Sequence, residues 1–391
     1  MSLYSLPSMT FNREVLYPSI NNEQYIINKA LRHYLKVVKE NISKRQTEWN
    51  RYKKYTNPYE FIHTPIPNLK RSISKLCPLS RSYYKMIEIC YRLDIIDDLP
   101  NICKTFHMAE GPGGFIEALS HQRKNKKDQY FGMTLMDDNE NIPSWKKSRQ
   151  FLKENKNVYI ERGKDNTGDL ISSNNLEYCF NRYKSSMHLI TGDGGFDFSI
   201  NFSEQEKISG KLLLSQVAYA IAMQKQHGSL ILKFFDMFTS LSIDLLYLLS
   251  CIYENVYIIK PNTSRYANSE KYVVCKGFLL CNKENIQTIT KHFQNVLSSK
   301  TNYINRIYNF DIPYYFIVKL EEINAILGQQ QIENINNTFN IINSSSRSLY
   351  RMDNYRKNNI SRCIHWCKKH GVPYNNIEPN SNMFVDNSNK T

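Results

Sequence analysis

Through the middle of the chain, short and mostly apolar runs alternate with longer stretches in which apolar residues recur at helical spacing. Apolar runs bounded by turn residues are typical of buried strands, and they predict strands at about 103–109, 129–135, 187–193, 229–235, 255–261 and 271–280. Stretches of helical spacing fall between them, at about 113–123, 210–226 and 241–253. This alternation predicts an α/β fold with a doubly wound, mostly parallel sheet and helices on both faces.

The pattern turns helical on both sides of this alternation. Apolar positions recur at helical spacing through Ile26, Ala30, Leu31 and Leu35, within a basic segment from about 22 to 54. Helical spacing returns beyond Cys281 and ends near 367, and the residues after 377 are rich in Asn and Ser. We therefore predict a helical, basic N-terminal extension at 1–78, an α/β domain at 79–282, a helical region at 283–377 and a disordered tail at 378–391.

The formal net charge of +15 indicates a polyanionic partner. Lys and Arg gain affinity for nucleic acids by releasing counterions from phosphates, although many basic proteins bind only other proteins. The basic segment at 22–54 can accordingly be a surface that faces RNA, a solvated amphipathic helix, or both.

The cysteines and the hydropathy of the chain indicate its compartment. The number of cysteines, 9, is odd, and their spacing is unlike that of a disulfide framework, which agrees with a reducing environment. No apolar run reaches the ~18–20 residues that span a bilayer, and the N-terminus lacks the features of a signal peptide. We expect a soluble intracellular protein, cytoplasmic or nuclear, with no membrane partner.

A glycine-rich loop, AEGPGGF, lies directly between the first predicted strand and the helix after it. Glycines let the backbone approach a ligand closely, and the N-terminus of a helix offers N–H groups without partners. This context is common to dinucleotide and S-adenosylmethionine sites, and it also occurs in plain strand–helix turns. The loop does not fit GxGxxG, which disfavours an NAD(P)-dependent oxidoreductase. Its residues are Ala109, Glu110, Gly111, Pro112, Gly113, Gly114 and Phe115.

Four ionisable residues stand near the ends of the predicted elements. They are Lys85 in a helix ahead of the first strand, Asp193 at the end of the third, Lys233 inside the apolar fourth, and Glu270 just before the sixth. Any one of them alone is better explained by a structural ion pair, since a lysine in an apolar strand is costly unless paired. Ligands of open α/β sheets, however, bind at the carboxyl ends of the strands. Four such residues interleaved with a glycine loop therefore indicate a catalytic site.

In four motifs, the chain resembles the FtsJ-related (RrmJ-like) 2′-O-methyltransferases. The motifs are AEGPGGF, FGMTL, DGGF and the long KPNTSRYANSEKYVVCKG at 260–277. Within that superfamily the chain is more similar to the cap-specific mRNA enzymes of eukaryotes and large DNA viruses than to the bacterial ribosomal enzymes. The similarity extends from about 57 to 280 and implies a Rossmann-like, S-adenosylmethionine-dependent methyltransferase fold. The catalytic Lys-Asp-Lys-Glu set of the family matches Lys85, Asp193, Lys233 and Glu270.

The resemblance implies methyl transfer from S-adenosylmethionine to the ribose 2′-hydroxyl of the first transcribed nucleotide of 5′-capped mRNA. This reaction requires no metal, but it requires alignment of the hydroxyl and a base for its proton. Lys233 would be that base if its amine is neutral, which burial and the nearby Lys85 would favour. Asp193 and Glu270 would orient the lysines. Other capping enzymes are further expected partners, and a viral origin would favour cytoplasmic viral factories or the virion.

The resemblance also assigns cofactor-binding residues. The backbone of Ala109–Phe115 and Asp193 would hold the methionine and ribose end of the cofactor. Asp169 and Leu170 would meet the adenine, with the carboxylate accepting from the exocyclic amine. Asp137 and Asp138 are candidates for the ribose hydroxyls, or else form a solvated turn.

The residues expected to bind RNA lie in three places. By resemblance, the substrate-binding residues are Ser203, Glu204, Gln205, Arg265 and Asn268, and Arg265 would hold a phosphate in bidentate fashion. A basic cluster just before the similar region can bind the cap triphosphate or form a solvated face. It consists of Arg51, Lys53 and Lys54.

Two other functions remain open at this point. A ribosomal or transfer RNA 2′-O-methyltransferase would carry the same four ionisable residues, although the SRYANSEKYVVCKG motif and the N-terminal extension favour the cap. A catalytically inactive RNA-binding scaffold would keep the fold, although the four intact residues speak against it.

Near the C-terminus, one short stretch superficially suggests a zinc site. Its residues are Cys363, His365, Cys367 and His370. Structural zinc usually takes two separated pairs of ligands, whereas these residues are crowded into a segment with helical spacing that ends at Gly371 and Pro373. We therefore interpret the stretch as the end of a helix and expect no metal.

Overall fold

The computed structural model describes residues 2–136, 144–195, 204–344 and 348–377, with only the backbone described at 348 and 349. Its strands are β1 (Ser2–Ser5), β2 (Lys104–Met108), β3 (Gln129–Met133), β4 (Val158–Glu161), β5 (Met187–Gly192), β6 (Gln224–Phe234), β7 (Tyr253–Lys260) and β8 (Lys271–Phe278). They form one eight-stranded sheet in the order β1-β7-β8-β6-β5-β2-β3-β4.

The sheet has a parallel part and an antiparallel part. Strands β4, β3, β2, β5 and β6 are parallel neighbours, so their carboxyl ends meet at one edge. Strand β8 lies between β6 and β7 and is antiparallel to both, and β1 is antiparallel to β7. The predicted doubly wound, mostly parallel α/β sheet is confirmed. Strands β1 and β4, which are only four residues long, were not predicted because short runs carry too little periodicity.

Helices cover both faces of the sheet and extend beyond it. They are α1 (Lys29–Lys44), α2 (Gln46–Thr56), α3 (Ser82–Arg92), α4 (Gly114–Arg123), α5 (Arg149–Glu154), α6 (Ser173–Tyr183), α7 (Gln205–Met223), α8 (Ser240–Ile252), α9 (Lys283–Leu297), α10 (Tyr314–Asn343) and α11 (Ser348–Lys369). Short 3-10 helices cover Arg13–Leu16, Glu60–Ile62 and Trp145–Ser148.

Alternation along the strands divides the core into two. In β6, Leu230 and Leu232 pack with α7 and α8 on one face, because successive side chains point to opposite faces. Ile231 points to the other face, where α3, α4 and α11 pack. Lys233, two residues further along, points to this second face as well. The face under α3 is therefore the one on which the ionisable residues can meet.

The N-terminal helices pack against the C-terminal ones. The hydroxyls of Thr56 and Thr338 are 2.6 Å apart, and the Asn334 side chain donates to the Thr56 carbonyl at 2.7 Å. The Asn359 side chain donates to the carbonyl of Tyr55 at 2.9 Å. These buried contacts join α2 to α10 and α11, while the domain boundaries predicted from the sequence stay a prediction.

The C-terminal Cys/His stretch is the end of helix α11, as interpreted. Cys363 and Cys367 are buried in the core beneath α11, whereas His365 is exposed, so the thiols and this imidazole do not converge. Gly371 has a φ of 64° and ends the helical run. The described part of the chain contains no group of three or more His, Cys, Asp or Glu that could hold a metal ion. None of its helices is long and apolar enough to cross a membrane.

A buried ion pair holds the segment after α9 to α8. Asp244 is fully buried; it accepts from Arg306 Nε at 3.3 Å and from the Ile307 amide at 2.9 Å. We expect Asp244→Ala to lower the free energy of unfolding by about 3–5 kcal/mol, because it leaves a buried guanidinium without its carboxylate. Urea denaturation would measure this loss.

The matched control is Lys319→Ala, which removes an exposed pair with Glu322 at 2.9 Å. It should cost no more than about 1 kcal/mol. Equal losses in the two variants would contradict a structural role for the buried pair.

Candidate active site

Strand register brings the first two site residues together. Lys233 on β6 pairs directly with Tyr272 on β8 in the antiparallel ladder. Side chains of directly opposed residues lie on the same face of a sheet, here the face under α3. The chain therefore places an amine and a phenol side by side at the carboxyl end of β6.

Asp193 joins this pair from the end of the neighbouring parallel strand. The Tyr272 hydroxyl donates to Asp193 Oδ1 at 2.7 Å, and the Lys233 amine lies 3.2 Å from the same oxygen. The amine also donates to the backbone carbonyl of Asp193 at 2.6 Å. Asp193 thus fixes the Lys233 amine through two of its oxygens.

Helix α3 and the segment before β8 contribute the other two residues. The buried Lys85 amine lies 2.8 Å from Glu270 Oε1 and donates to Oε2 at 2.9 Å. It also lies 3.3 Å from the Tyr272 hydroxyl, and the Ser264 hydroxyl donates to Glu270 at 2.6 Å. The structure therefore brings all four predicted ionisable residues into one hydrogen-bonded chain, linked by a tyrosine that the sequence analysis did not select.

The charges within this hydrogen-bonded network balance one another. Burial alone would raise the pKa of Glu270, but the ammonium groups of Lys85 and Lys233 outweigh it and hold that pKa well below its ordinary value. Burial, together with the charges of Asp193 and Glu270, raises the pKa of Tyr272 well above that of a free tyrosine. The phenol therefore stays protonated and serves as a donor.

The Lys233 amine lies close to the backbone that follows Asp193. A Cβ added at Gly195 would lie 3.1 Å from Lys233 Nζ and 3.4 Å from the ring of Phe235, so a glycine at this position allows the close approach. The Lys233 side chain keeps 11% of its surface exposed.

The glycine loop has the backbone geometry of a tight ligand-binding turn. Ala109 has a φ of 50° and Gly113 a φ of 110°, and the peptide between Gly111 and Pro112 is cis. A Cβ added at Gly114 would lie 2.2 Å from the Ser80 and Ser82 hydroxyl oxygens, so glycine allows α4 to approach the start of α3. The loop therefore lies at the carboxyl end of β2, between the site and α4.

The sequence predicts free N–H groups at the start of α4, but the side chain of Glu110 accepts from two of them. Its Oε1 accepts from the amides of Phe115 at 2.8 Å and Ile116 at 2.9 Å. Burial raises the pKa of Glu110 to about 8 despite these two donors, and the nearby Asp193 adds to the increase. The side chain of Glu110 is thus engaged as the cap of α4, and a cofactor contact of that side chain stays a prediction.

The predicted adenine-binding residues lie in the loop after β4. This loop packs on the end of β3: the Met136 amide donates to the Thr167 carbonyl at 2.7 Å, and a Cβ at Gly168 would lie 2.0 Å from the Thr134 carbonyl oxygen. Asp169 is half-buried and accepts from the Ile171 amide at 2.9 Å, and Leu170 is buried in the core. The loops after β2, β3, β4 and β5 thus border one edge. Asp137 and Asp138, the candidates for the ribose hydroxyls, lie outside the described residues.

Several of the predicted RNA-binding residues line one cavity. It has a volume of about 200 Å³ and lies between α2 and the segment 261–270. Of the predicted residues, Lys53, Gln205, Arg265 and Asn268 line it, together with Trp49. Glu204 lies outside this cavity, at the start of α7, and Ser203 lies outside the described residues. Arg51 and Lys54 are not among its lining residues.

Protein partners already hold several of these side chains. Arg265 donates to Glu60 through Nε at 3.0 Å and Nη2 at 2.6 Å, so the bidentate face expected to hold a phosphate is engaged by a carboxylate. Gln205 Oε1 accepts from the Ser269 hydroxyl at 2.9 Å. These contacts fix the segment around Ser269 against the start of α7.

A buried lysine that the sequence analysis missed holds the same segment. The Lys260 amine donates to the Asn268 carbonyl at 2.5 Å, to Asn268 Oδ1 at 3.1 Å and to the Glu270 carbonyl at 2.6 Å. Burial lowers the pKa of Lys260 to about 7, although Glu270 opposes the shift. The long motif quoted above begins with this residue, so the signal was present as a second lysine at the end of an apolar strand.

A sequence profile of the FtsJ-like methyltransferases matches residues 78–278, just over half of the chain, and the match contains the four ionisable residues and the glycine loop. The chain belongs to the FtsJ-like methyltransferase family. The predicted family and fold class are confirmed.

Curated relatives carry more specific names. The chain is 32% identical over 286 residues to cap-specific mRNA (nucleoside-2′-O-)-methyltransferase 1 of Homo sapiens, which covers 71% of this chain and 33% of that protein. It is 28% identical over 354 residues to cap-specific mRNA (nucleoside-2′-O-)-methyltransferase 2 of Mus musculus, covering 85% of this chain and 44% of that protein. The chain is 31% identical over 284 residues to cap-specific mRNA (nucleoside-2′-O-)-methyltransferase 1 of Xenopus laevis, and this region covers 70% of this chain and 32% of that protein. The chain thus spans less than half the length of these relatives.

The Glu110 carboxyl predicts a pH dependence of stability. Because its pKa is about 8 in the folded protein and near the ordinary 4.5 when unfolded, the folded state binds more protons between these values. Wild-type stability should therefore contain a contribution that is complete below pH 4.5 and lost as the pH rises through 8. Glu110→Gln keeps the oxygen that accepts from Phe115 and Ile116 but does not titrate.

We expect the stability of Glu110→Gln relative to wild type to increase by about 1 kcal/mol or more between pH 5 and pH 8. Thermal unfolding of both proteins without cofactor, at several pH values, would measure it. A difference that stays constant or decreases with pH would show instead that the two amides keep the carboxyl ionised.

Proposed function

We propose that this protein transfers a methyl group from S-adenosylmethionine to the ribose 2′-hydroxyl of the first transcribed nucleotide of capped mRNA. The observation that carries this proposal is the hydrogen-bonded network from Glu270 through Lys85, Tyr272 and Asp193 to Lys233. The names of the curated relatives support the choice of the 2′-hydroxyl and of capped mRNA.

The carboxyl edge of the sheet fits the cofactor. The backbone of Ala109–Gly113 turns at the end of β2, and the tight contact of Gly168 with β3 holds the half-buried Asp169 beside the same edge. Asp169 would accept from the adenine amine with a carboxylate oxygen, and Asp193 would lie at the methionine end. S-adenosylmethionine would supply the methyl group from its sulfonium.

The protein groups would then handle the proton and the alignment. Lys233 would first release the proton of its ammonium to solvent and would then accept the proton of the 2′-hydroxyl, while Asp193 fixes the amine through its carbonyl and carboxylate oxygens. Tyr272 transmits this alignment to Lys85, and Glu270 holds Lys85 as the charged member of the pair. Alignment by groups that are themselves fixed by hydrogen bonds is an efficient source of rate enhancement.

The cavity of about 200 Å³ would receive the cap. Lys53 and Arg265 line it, and burial, together with the charges of Arg265 and of Arg81 at the start of α3, lowers the pKa of Lys53. Against these three cations stands the carboxylate of Glu60, which pairs with Arg265. The excess of positive charge suits a triphosphate, and the Trp49 ring in the wall suits a base.

Replacing the proposed base tests the chemistry. We expect Lys233→Ala to lower turnover at least about 100-fold, because no other amine is held at the position of the hydroxyl proton. Affinity for S-adenosylmethionine, measured by titration calorimetry, should change little. The control is Lys276→Ala on β8, whose amine pairs with Asp98 at 2.7 Å outside the site. Near-normal turnover of Lys233→Ala would rule out its role.

The substrate is tested separately with three RNAs of one sequence that begin with m7Gppp, Gppp or a bare triphosphate. We expect transfer of labelled methyl to the capped RNAs at least about tenfold faster than to the triphosphate RNA, since an unfilled cap cavity forgoes about 1.4 kcal/mol or more. Nuclease digestion should place the label on the first nucleotide. Equal rates on all three RNAs would contradict cap specificity but leave methyl transfer standing.

A further inference from the structure

A groove of about 260 Å³ lies beside the N-terminal half of α1. Its walls come from α1, from the start of α7 and from the residues after β6. The charged and titratable side chains that α1 and the start of α7 contribute are Lys29, Arg32, His33, Lys36, Lys39, Glu204, Glu206 and Lys207. We call this cavity the α1 groove.

Four of the five lysines and arginines that line the α1 groove have no carboxylate partner among the described residues. In the described part of the chain, Lys29, Arg32, Lys36 and Lys207 have no carboxylate oxygen within the 4.0 Å that defines an ion pair. Unpaired cations that share one face of a helix repel one another. Such an arrangement favours a polyanion, which would relieve the repulsion.

The acidic side chains at the floor of the groove already have partners within the protein. Asp236 pairs with the buried amine of Lys39 at 2.8 Å. Glu206 accepts from the amides of Phe238 at 2.9 Å and Thr239 at 2.8 Å, at the N-terminus of α8. Of the three carboxylates that line the groove, only Glu204 is left to oppose the cations.

The groove adjoins the proposed site on two sides. Asp236, in its floor, follows Lys233 by three residues at the carboxyl end of β6. Lys39 lines both the α1 groove and the cavity proposed for the cap, so the two cavities are neighbours along α1. If the cap lies in the cavity proposed for it and the first ribose lies near Lys233, the nucleotides that follow can reach the α1 groove.

We propose that the α1 groove binds the phosphates of the nucleotides that follow the methylated one. This inference rests on the function proposed above. From Lys29 to Lys36 the helix rises about 10 Å, which is long enough to contact more than one phosphate. Single-stranded RNA is bound in this way by positively charged grooves that follow its backbone. The groove would therefore distinguish a capped RNA chain from a free capped dinucleotide.

The test is a variant with three neutral substitutions, Lys29→Gln, Arg32→Gln and Lys36→Gln, which keep good helix formers at two exposed positions and one half-buried position of α1. The matched control is Lys104→Gln, Lys127→Gln and Lys156→Gln, which removes the same charge from exposed lysines at the amino ends of β2, β3 and β4. Methyl transfer is measured on the dinucleotide m7GpppA and on a capped RNA of about twelve nucleotides.

For the α1 variant we expect KM for the longer RNA to rise about tenfold. The slope of log KM against log salt concentration should decrease by about two, because each of the three lost phosphate contacts removes about 0.7 from that slope. KM for the dinucleotide and both kcat values should stay within about twofold of wild type. An unchanged KM for the longer RNA overturns the proposal and leaves an acidic protein as the partner of this surface. Equal changes on both substrates also overturn it, because they indicate damage to the site itself.

Binding of an uncapped, fluorescently labelled RNA of about twelve nucleotides separates the two proposals. If wild type transfers no methyl group but binds this RNA, and the α1 variant binds it about tenfold more weakly, the function fails and the groove stands. If wild type methylates the dinucleotide and both variants bind the RNA equally well, the groove fails and the function stands.

Discussion

The hydrogen bond of 2.7 Å from the Tyr272 hydroxyl to Asp193 joins two buried ion pairs into one network. On one side Asp193 holds Lys233, and on the other Glu270 holds Lys85. Buried charges are tolerated only when each is paired and hydrogen-bonded, and a fully satisfied network fixes its members in one arrangement. The pairing of β6 with β8 and the position of α3 follow from this requirement, because each element carries one part of the network.

Much of the α/β core could be predicted because its periodicities are strong. Six of the strands and the helices α4, α7 and α8 follow from spacing alone, whereas the short strands β1 and β4 and the helix α6 were not predicted. Asp193, Lys233 and Glu270 could be selected because charges inside or beside apolar strands are unusual, and Lys85, which lies in a helix, because the four residues match the catalytic set of a known family. Tyr272 could not, since a tyrosine in a strand is ordinary and its role depends on the register that places it opposite Lys233.

Contacts between distant segments explain the remaining differences. Arg265 was expected to meet a phosphate, but Glu60, 205 residues earlier in the chain, occupies its bidentate face. The first amides of α4 were expected to be free for a ligand, but the side chain of Glu110 accepts from two of them. Periodicity does not reveal such pairings, because both partners are common surface residues whose burial is decided by tertiary structure.

The attachment of α2 to α10 and α11 also bears on how the protein is made. The wall that carries Trp49 and Lys53 is fastened by Thr338, Asn334 and Asn359, which lie near the other end of the chain. A ribosome releases the α1–α2 segment long before those residues exist, and domains generally fold from the N-terminus as they emerge. The central sheet can form first, whereas this wall must wait for α10 and α11. A nascent chain would therefore gain its fold before it gains the cavity of about 200 Å³ beside α2.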